Sequence, residues 1–543
     1  MARSTIRRAL PVLGAPRETP TAAVELSADA PRVGLVTLGC DKNTVDSERL
    51  LARLAGAGAR VIGDAGDADV VVINTCGFID VAKEESVDAI LDAVRLKHAG
   101  RVRAVVAMGC MVQRYKAELQ RELPEVDLFL GLTEAEQLVP ELRARGLLRE
   151  SVVPTMEQPL RLLTTSTPHT SHLKISEGCD HTCAFCAIPL MRGRHRSTPI
   201  DALVREAQQL EAAGVVELNL ISQDTTWYGR DIVRGTAGTE TEWFIGRTFA
   251  GMASVMADVR IADLDSAAAR ANGGRTTPAG AAAGATPAVR ADGGAGGARR
   301  HGLLPELLDA LVAGTSIPWF RLFYMYPSGI YPALVEQIAR EPRILPYIDM
   351  PIQHGSDSVL KRMRRPERQA TIRERVTWLR DAIPDVALRT TVIVGFPGET
   401  DEEFDDMLGL LEEIRFDHLG AFAYSEEEST PAAGMSDQVD AAVRRERLER
   451  VHELQSAIAQ ERNERWLGRE AHVLIDTLTG RDSDDPDARA GARGAIGRTA
   501  GQALEIDGVV HIADARGARP GDFVRVRVVD VVENDLKAEI PGD

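Results

Sequence analysis

Short apolar runs alternate with amphipathic stretches along most of this chain. Between residues 31 and 147 the runs fall at 33–38 (VGLVTL), 69–74 (DVVVIN) and 102–108 (VRAVVAM). Helical periodicity follows at 44–54, where Leu50, Leu51 and Leu54 share a face, and at 82–94. Runs that are apolar throughout mark strands buried on both sides, and the helices between them supply the covers. A parallel α/β sheet is expected for 31–147.

A second series begins after an irregular linker at 148–168, which carries Pro154, Pro159 and Pro168. Its strands are expected at 172–176, 215–222, 319–326, 347–353, 387–395 and 418–424, with amphipathic helices at 200–213, 304–312 and 371–383. Six βα units in a row predict a partial parallel barrel, not a closed eight-stranded one. A charged helix over 439–468 then leads to a stretch with period two, at 472–476, 497–506, 509–512, 523–532 and 536–540. Turns at Asp507-Gly508 and Pro520-Gly521 complete the pattern of a small antiparallel, OB-like barrel.

Two segments do not fit this scheme. Residues 1–30 are expected to be a disordered tail. From about 232 to 300 the composition falls to Ala, Gly, Thr and Arg, too little apolar surface to offset the entropy of ordering. That stretch is read as a disordered insertion without catalytic role, with a short helix near 249–259 as its sole ordered candidate. The domains are thus 31–147, 165–460 with the insertion, and 461–543.

Composition narrows the class. The chain has 543 residues, 44% hydrophobic and 27% charged, enough for several cores without disulfide staples. Its net charge of −17 argues against broad nucleic-acid binding, and specific DNA binding is not expected. No signal-peptide run and no stretch of about 18 apolar residues occurs, so a cytoplasmic protein with reduced thiols and no membrane span is expected.

The six cysteines fall in two groups of three. Cys179, Cys183 and Cys186 lie within eight residues, just past the predicted strand at 172–176, at the carboxyl end where parallel barrels place their sites. Three thiolates in one loop suit an iron–sulfur cluster with one iron left open to a small molecule. Structural zinc is the alternative, but zinc favours four protein ligands and CxxC pairs. Cys40, Cys76 and Cys110 are far apart in sequence, yet each follows an apolar strand. Ligands of open α/β sheets gather at those strand ends. A second cluster site accounts for the placement better than three unrelated buried cysteines.

These residues carry a family resemblance. The stretches LGCDKNTVDSERL, INTCGFIDVAKEES, LKISEGCDHTCAFCAIPLMRGRHRS, LISQDTTWYG, FYMYPSG, MPIQHGSDSVLKRMRRP, VGFPGET and FAYSEEESTPAA are similar to those of the radical S-adenosylmethionine methylthiotransferases. The resemblance covers nearly all of 32–540 outside the insertion. It implies an N-terminal cluster domain, a radical core and a C-terminal TRAM domain. It also implies two 4Fe-4S clusters, on Cys179, Cys183 and Cys186 and on Cys40, Cys76 and Cys110, and S-adenosylmethionine as cofactor. The first cluster would cleave S-adenosylmethionine to a radical that abstracts hydrogen, and the second would hold the methylated sulfur. A low-potential donor such as flavodoxin or ferredoxin would supply electrons.

Within the family the chain resembles the branch that modifies the β-carbon of an aspartate in ribosomal protein S-twelve of the small subunit. The branch acting on isopentenyl-adenosine in tRNA typically has GQN near Ser222-Gln223-Asp224-Thr225, and stays open as an alternative. A more distant one is a non-enzymatic iron–sulfur protein. Residues 470–543 hold 15 acidic and 9 basic side chains, which suits a basic protein partner better than tRNA phosphates. Asp507, Asp514 and Asp522, in or near predicted turns, are the expected surface charges. Gln223, Asp224, Gln353, Gly395 and Gly398 are candidate cofactor contacts. Each also fits a plain strand-to-helix turn, and His354 fits a satisfied barrel histidine.

Overall fold

The computed structural model describes residues 30–149, 160–164, 167–234, 302–480 and 493–542. The tail, the insertion and its possible helix fall almost wholly outside those residues.

The first sheet holds β1 (Arg32–Thr37), β2 (Arg60–Ile62), β3 (Val70–Thr75), β4 (Ala104–Gly109) and β5 (Leu128–Gly131) in the order β2-β1-β3-β4-β5. All its pairs are parallel. Every residue of β3, β4 and β5 is buried. Alternate residues serve opposite faces, as the pleat requires. Val71 and Ile73 pack with Ile90 and Val94, whereas Val70 and Val72 pack with Leu50, Leu51 and Leu54. The sequence did not disclose β2 and β5, which are too short to stand out as apolar runs.

The second sheet holds β6 (Thr170–Lys174), β9 (Glu217–Ile221), β10 (Trp319–Leu322), β11 (Ile344–Asp349), β12 (Ala387–Val394) and β13 (His418–Ala423). Its order is β13-β12-β11-β10-β9-β6, parallel throughout and open, the expected partial barrel. A small antiparallel ribbon, β7 (Ser176–Glu177) with β8 (Arg196–Ser197), brackets the cysteine loop. β10 stops at Leu322, short of the apolar run to 326. Tyr324 has φ +58, and its N–H leaves the ladder to donate to Asp349 Oδ2 at 3.0 Å.

The linker is less slack than its composition suggests. Arg161 is buried in the seam between the first two sheets, donating to Glu48 from one side and to Glu206 at 3.1 Å from the other. Further on, the helix Arg230–Arg234 runs to the last described residue before the insertion, and Leu303 N–H donates to Tyr228 O at 2.7 Å beyond it. The chain resumes where it left.

The third unit follows the helix Ala441–Glu464. β14 (Glu470–Leu478), β15 (Ala495–Thr499), β16 (Val510–Ile512), β17 (Phe523–Val532) and β18 (Asp535–Glu539) close into a barrel in the order β14-β15-β16-β18-β17. Two expectations are corrected here. β16 and β18 pair in parallel, so the barrel is not wholly antiparallel. β15 ends at Thr499 instead of running to 506, because Gln502 Oε1 accepts the Thr499 N–H and turns the chain, and Glu505 has φ +66.

This barrel is not a loosely tethered module. Arg498, fully buried, donates to Asp476 at 2.7 Å and to Glu217 of β9 at 2.6 Å, and Arg321 of β10 reaches the same Glu217 at 2.8 Å. Asp507, expected to be a surface charge, has a side chain only 1% exposed and lies 3.5 Å from Arg389 and 3.6 Å from His418. It docks the barrel rather than facing solvent. Among the described residues no helix is long and apolar enough to cross a membrane.

Candidate active site

Cys40 follows β1, Cys76 follows β3, and Cys110 opens the helix Cys110–Glu122 after β4. These strands are adjacent and parallel, so topology brings their carboxyl ends to one edge. Two glycines allow the close approach. Gly109 has φ +103, and a Cβ there would lie 2.4 Å from Asn74 Oδ1. A Cβ on Gly39 would lie 2.9 Å from Cys76 Sγ.

Beneath the triad Asn43 ties the strand ends together, donating to Leu38 O at 2.7 Å and to Thr75 O at 3.2 Å. Its Oδ1 lies 3.7 Å from Cys110 Sγ and accepts from Arg192 at 2.6 Å. Burial pushes the Cys76 thiol up, and it pushes Cys110 up to about 12. In both, Cys40 adds to the effect and Arg192 opposes it. Cys76 and Cys110 are buried and Cys40 is exposed at the rim. Three thiolates brought this close repel one another unless a cationic centre binds them. The donor set fits a metal cluster on that ground.

The second triad sits in the loop after β7. Gly178 has φ +70, and a Cβ there would fall 2.0 Å from Arg194 O, so this turn is closed to other residues. Cys179 N–H donates to Gly193 O at 3.0 Å and Cys186 N–H to Cys183 O at 3.2 Å, curling the loop on itself. Burial pushes Cys186 up to about 12, with Cys183 reinforcing it. Tyr326 Oη lies 3.9 Å from Cys183 Sγ, and the Arg365 guanidinium lies 4.0 Å from that sulfur and 3.9 Å from the Tyr326 ring. His181 stacks on Tyr326 with centroids 4.2 Å apart, and its Nε2 pairs with Asp224 at 2.7 Å.

Among the described residues no three His, Cys, Asp or Glu side chains close to the spacing of a single metal ion. A four-iron cluster spreads its thiolates wider than one ion does.

One segment serves both triads. Past β10, Tyr326 lies beside Cys183, and Tyr324 stacks under Lys42, two residues after Cys40, with Nζ 3.2 Å from the ring centroid. Burial pushes the Lys42 pKa down, opposed by Cys40 and Asp41. A second link runs through Arg192, which follows the cysteine loop and donates to Asp46 of the first unit at 3.2 Å and to Glu177 at 2.8 Å.

The candidate cofactor residues separate into two kinds. Gln223 and Gln353 are half-buried at strand ends, and Gln353 has φ +69. Asp224, Gly395 and Gly398 are occupied by the chain itself. Asp224 holds His181 and Thr226, Gly395 leaves room for Arg444, and Gly398 N–H donates to Asp437 O at 2.6 Å. His354 is fully buried, its Nδ1 accepting from Ser356 N–H at 2.9 Å and its Nε2 3.4 Å from Glu399. Sequence reasoning did not single out Asn43, Arg192, Tyr324, Tyr326 or Arg365. All five lie inside its quoted motifs, but their partners come from other motifs and are adjacent only in the fold.

Comparison with known proteins places each unit. Residues 32–131 match the model of the uncharacterized protein family UPF0004, residues 282–411 that of the radical SAM superfamily, and residues 467–540 that of the TRAM domain. The ribosomal protein uS12 methylthiotransferase RimO of Anaeromyxobacter sp. (strain K) is 42% identical over 518 residues, covering 94% of this chain and 93% of its own. The protein of the same name from Geobacter sulfurreducens is 37% identical, covering 94% and 98%. That from Symbiobacterium thermophilum is 39% identical, covering 96% and 94%. With relatives at this identity over nearly the whole length of both chains, the chain belongs to the RimO family of ribosomal protein uS12 methylthiotransferases.

Proposed function

We propose that this chain is a radical S-adenosylmethionine enzyme that adds a methylthio group to the β-carbon of an aspartate in ribosomal protein uS12. The observation that carries the reading is the pair of three-cysteine sites joined by the Phe323–Tyr326 segment, on which Tyr324 and Tyr326 each attend one site. The work divides among residues 31–147, 165–460 and 461–543.

Cys179, Cys183 and Cys186 are the ligands for a 4Fe-4S cluster that binds S-adenosylmethionine, and Cys40, Cys76 and Cys110 those for a second cluster. When bound, these groups supply one-electron cleavage of S-adenosylmethionine and the sulfur to be transferred, which no side chain can supply. The chain's own residues position and exclude. Arg365 sets a buried cation beside Cys183. His181 and Tyr326 wall that loop from water, and Asp224 fixes the His181 ring. Gln223 and Gln353 are the side chains placed for the cofactor, while Gly395 and Gly398 shape the turn beside it.

The acidic last unit, with 15 acidic and 9 basic side chains over 470–543, favours a basic protein substrate over tRNA. The enzyme works in the cytoplasm with a low-potential electron donor of the flavodoxin or ferredoxin kind. The test is anaerobic reconstitution with iron and sulfide, followed by incubation with S-adenosylmethionine and uS12, with tRNA in parallel. Mass spectrometry should show methylthio addition on uS12 alone. Modification of tRNA in its place would overturn the reading.

A further inference from the structure

Lys42 is 5% exposed, yet among the described residues its ammonium has no ion-pair partner and no hydrogen-bond acceptor. What it has is the Tyr324 ring, with Nζ 3.2 Å from the centroid. The carboxylates around it are committed elsewhere. Asp41 faces the Tyr324 hydroxyl at 3.4 Å and His172 at 3.8 Å. Asp349 takes Arg389 at 2.9 Å and the Tyr324 N–H at 3.0 Å. Asp46 takes Lys174 and Arg192.

Cys40, Asp41 and Asp349 lie near enough to act on the Lys42 charge, but none touches it. A buried cation with no anion in contact is costly to keep and is a ready receptor for a carboxylate. The position says which anion. Lys42 is two residues from Cys40, and Tyr324 beneath it shares a segment with Tyr326, which lies 3.9 Å from Cys183. We infer that Lys42 receives the side-chain carboxylate of the target residue, with the Tyr324 ring as the shelf that aims it. This rests on the reading of uS12 aspartate as substrate. The carbon to be modified is bonded to that carboxylate, so gripping the carboxylate places the carbon in the region where the two triads meet. A tRNA base offers no such group, so Lys42 also selects between substrate classes.

The test uses the full reconstituted enzyme and two forms of uS12, one with the target aspartate and one with asparagine there. The wild type should prefer the aspartate form. Lys42→Met should lose at least about tenfold in kcat/KM toward the aspartate form and change little toward the asparagine form, because a charge-assisted contact is lost from one substrate alone. Lys42→Arg should restore part of the preference, and iron and sulfide content should match the wild type in both variants. An unchanged preference in Lys42→Met overturns the inference. So does an equal loss on both substrates accompanied by lost iron, which would assign Lys42 to the cluster. If the wild type leaves both forms of uS12 unmodified, the substrate reading itself fails, a result separate from either of these.

Discussion

The Tyr347 hydroxyl donates to Asp507 at 2.8 Å, joining the floor of the open barrel to the turn after β15 of the closed one. Asp507 also accepts from Ala503 N–H at 2.9 Å and faces Arg389 and His418. It is the anion of a docking site. Asp507→Ala should cost about 3 kcal/mol, the scale of a buried pair that loses one partner. Reversal of Asp514 or Asp522, whose carboxylates cap exposed turns, should stay within about 1 kcal/mol. Thermal melts of the three variants decide it, and equal shifts would return Asp507 to the surface.

Asp514 and Asp522 remain the charges through which the last unit can steer a basic partner. Their double reversal to lysine should slow modification of uS12 most at low salt. The difference should fade as ionic strength passes 0.1 M, where screening acts beyond about 10 Å. Rates against salt for wild type and variant, with tRNA as parallel substrate, provide the check. Parallel slopes would remove the steering role.

Glu217 predicts how the seam responds to acid. Burial works against its charge, but Arg498 and Arg321 outweigh burial and bring the carboxyl down to about 2. A depressed carboxyl contributes stability that is complete above its unfolded value near 4.5 and is lost as pH falls toward 2. The wild type should therefore lose stability between those limits. Glu217→Gln should lack that part of the slope and be weaker at neutral pH, with two arginines left facing a neutral amide. Denaturant titrations from pH 7 to 2.5 test this, and identical slopes would refute it.

The two triads should fail separately. Cys183→Ala should abolish cleavage of S-adenosylmethionine while the iron bound by the first unit persists. Cys76→Ala should leave deoxyadenosine formation intact and deliver no methylthio group. Iron counts and product analysis distinguish them, and normal product from Cys76→Ala would make that triad structural.

Replacing residues 240–298 by a short Gly/Ser linker should alter melting temperature and turnover little. The chain re-enters at Leu303 hydrogen-bonded to Tyr228, so a short bridge spans the gap without strain. A large loss of activity would show that the segment serves the site.

Much of this was legible from pattern, for reasons visible in particular residues. The runs that became β3 and β4 are buried on both faces, so their apolar continuity marked both identity and direction. The cysteines after them needed only topology to be brought together. What the sequence concealed were residues whose partners lie in other units. Arg498 reads as one arginine in a polar strand until Glu217, 281 positions away, completes it. Asp507 beside Gly508 reads as a turn, and it is one, yet the turn points inward. Tyr324 looked like part of a strand because aromatic residues favour strands, and a carboxylate on β11 pulled its backbone off the ladder.

The buried ion networks at both seams change how the molecule comes apart. Half-release of the last barrel would strand Arg498 without Glu217, and Glu217 without its second arginine. Half-release of the first sheet would strand Arg161 without Glu48. Intermediates of that kind carry an uncompensated charge in a dry place, so they lie above both the intact and the fully separated states. The three units are thereby coupled, and partial separation that would alter the spacing of the two triads is penalised.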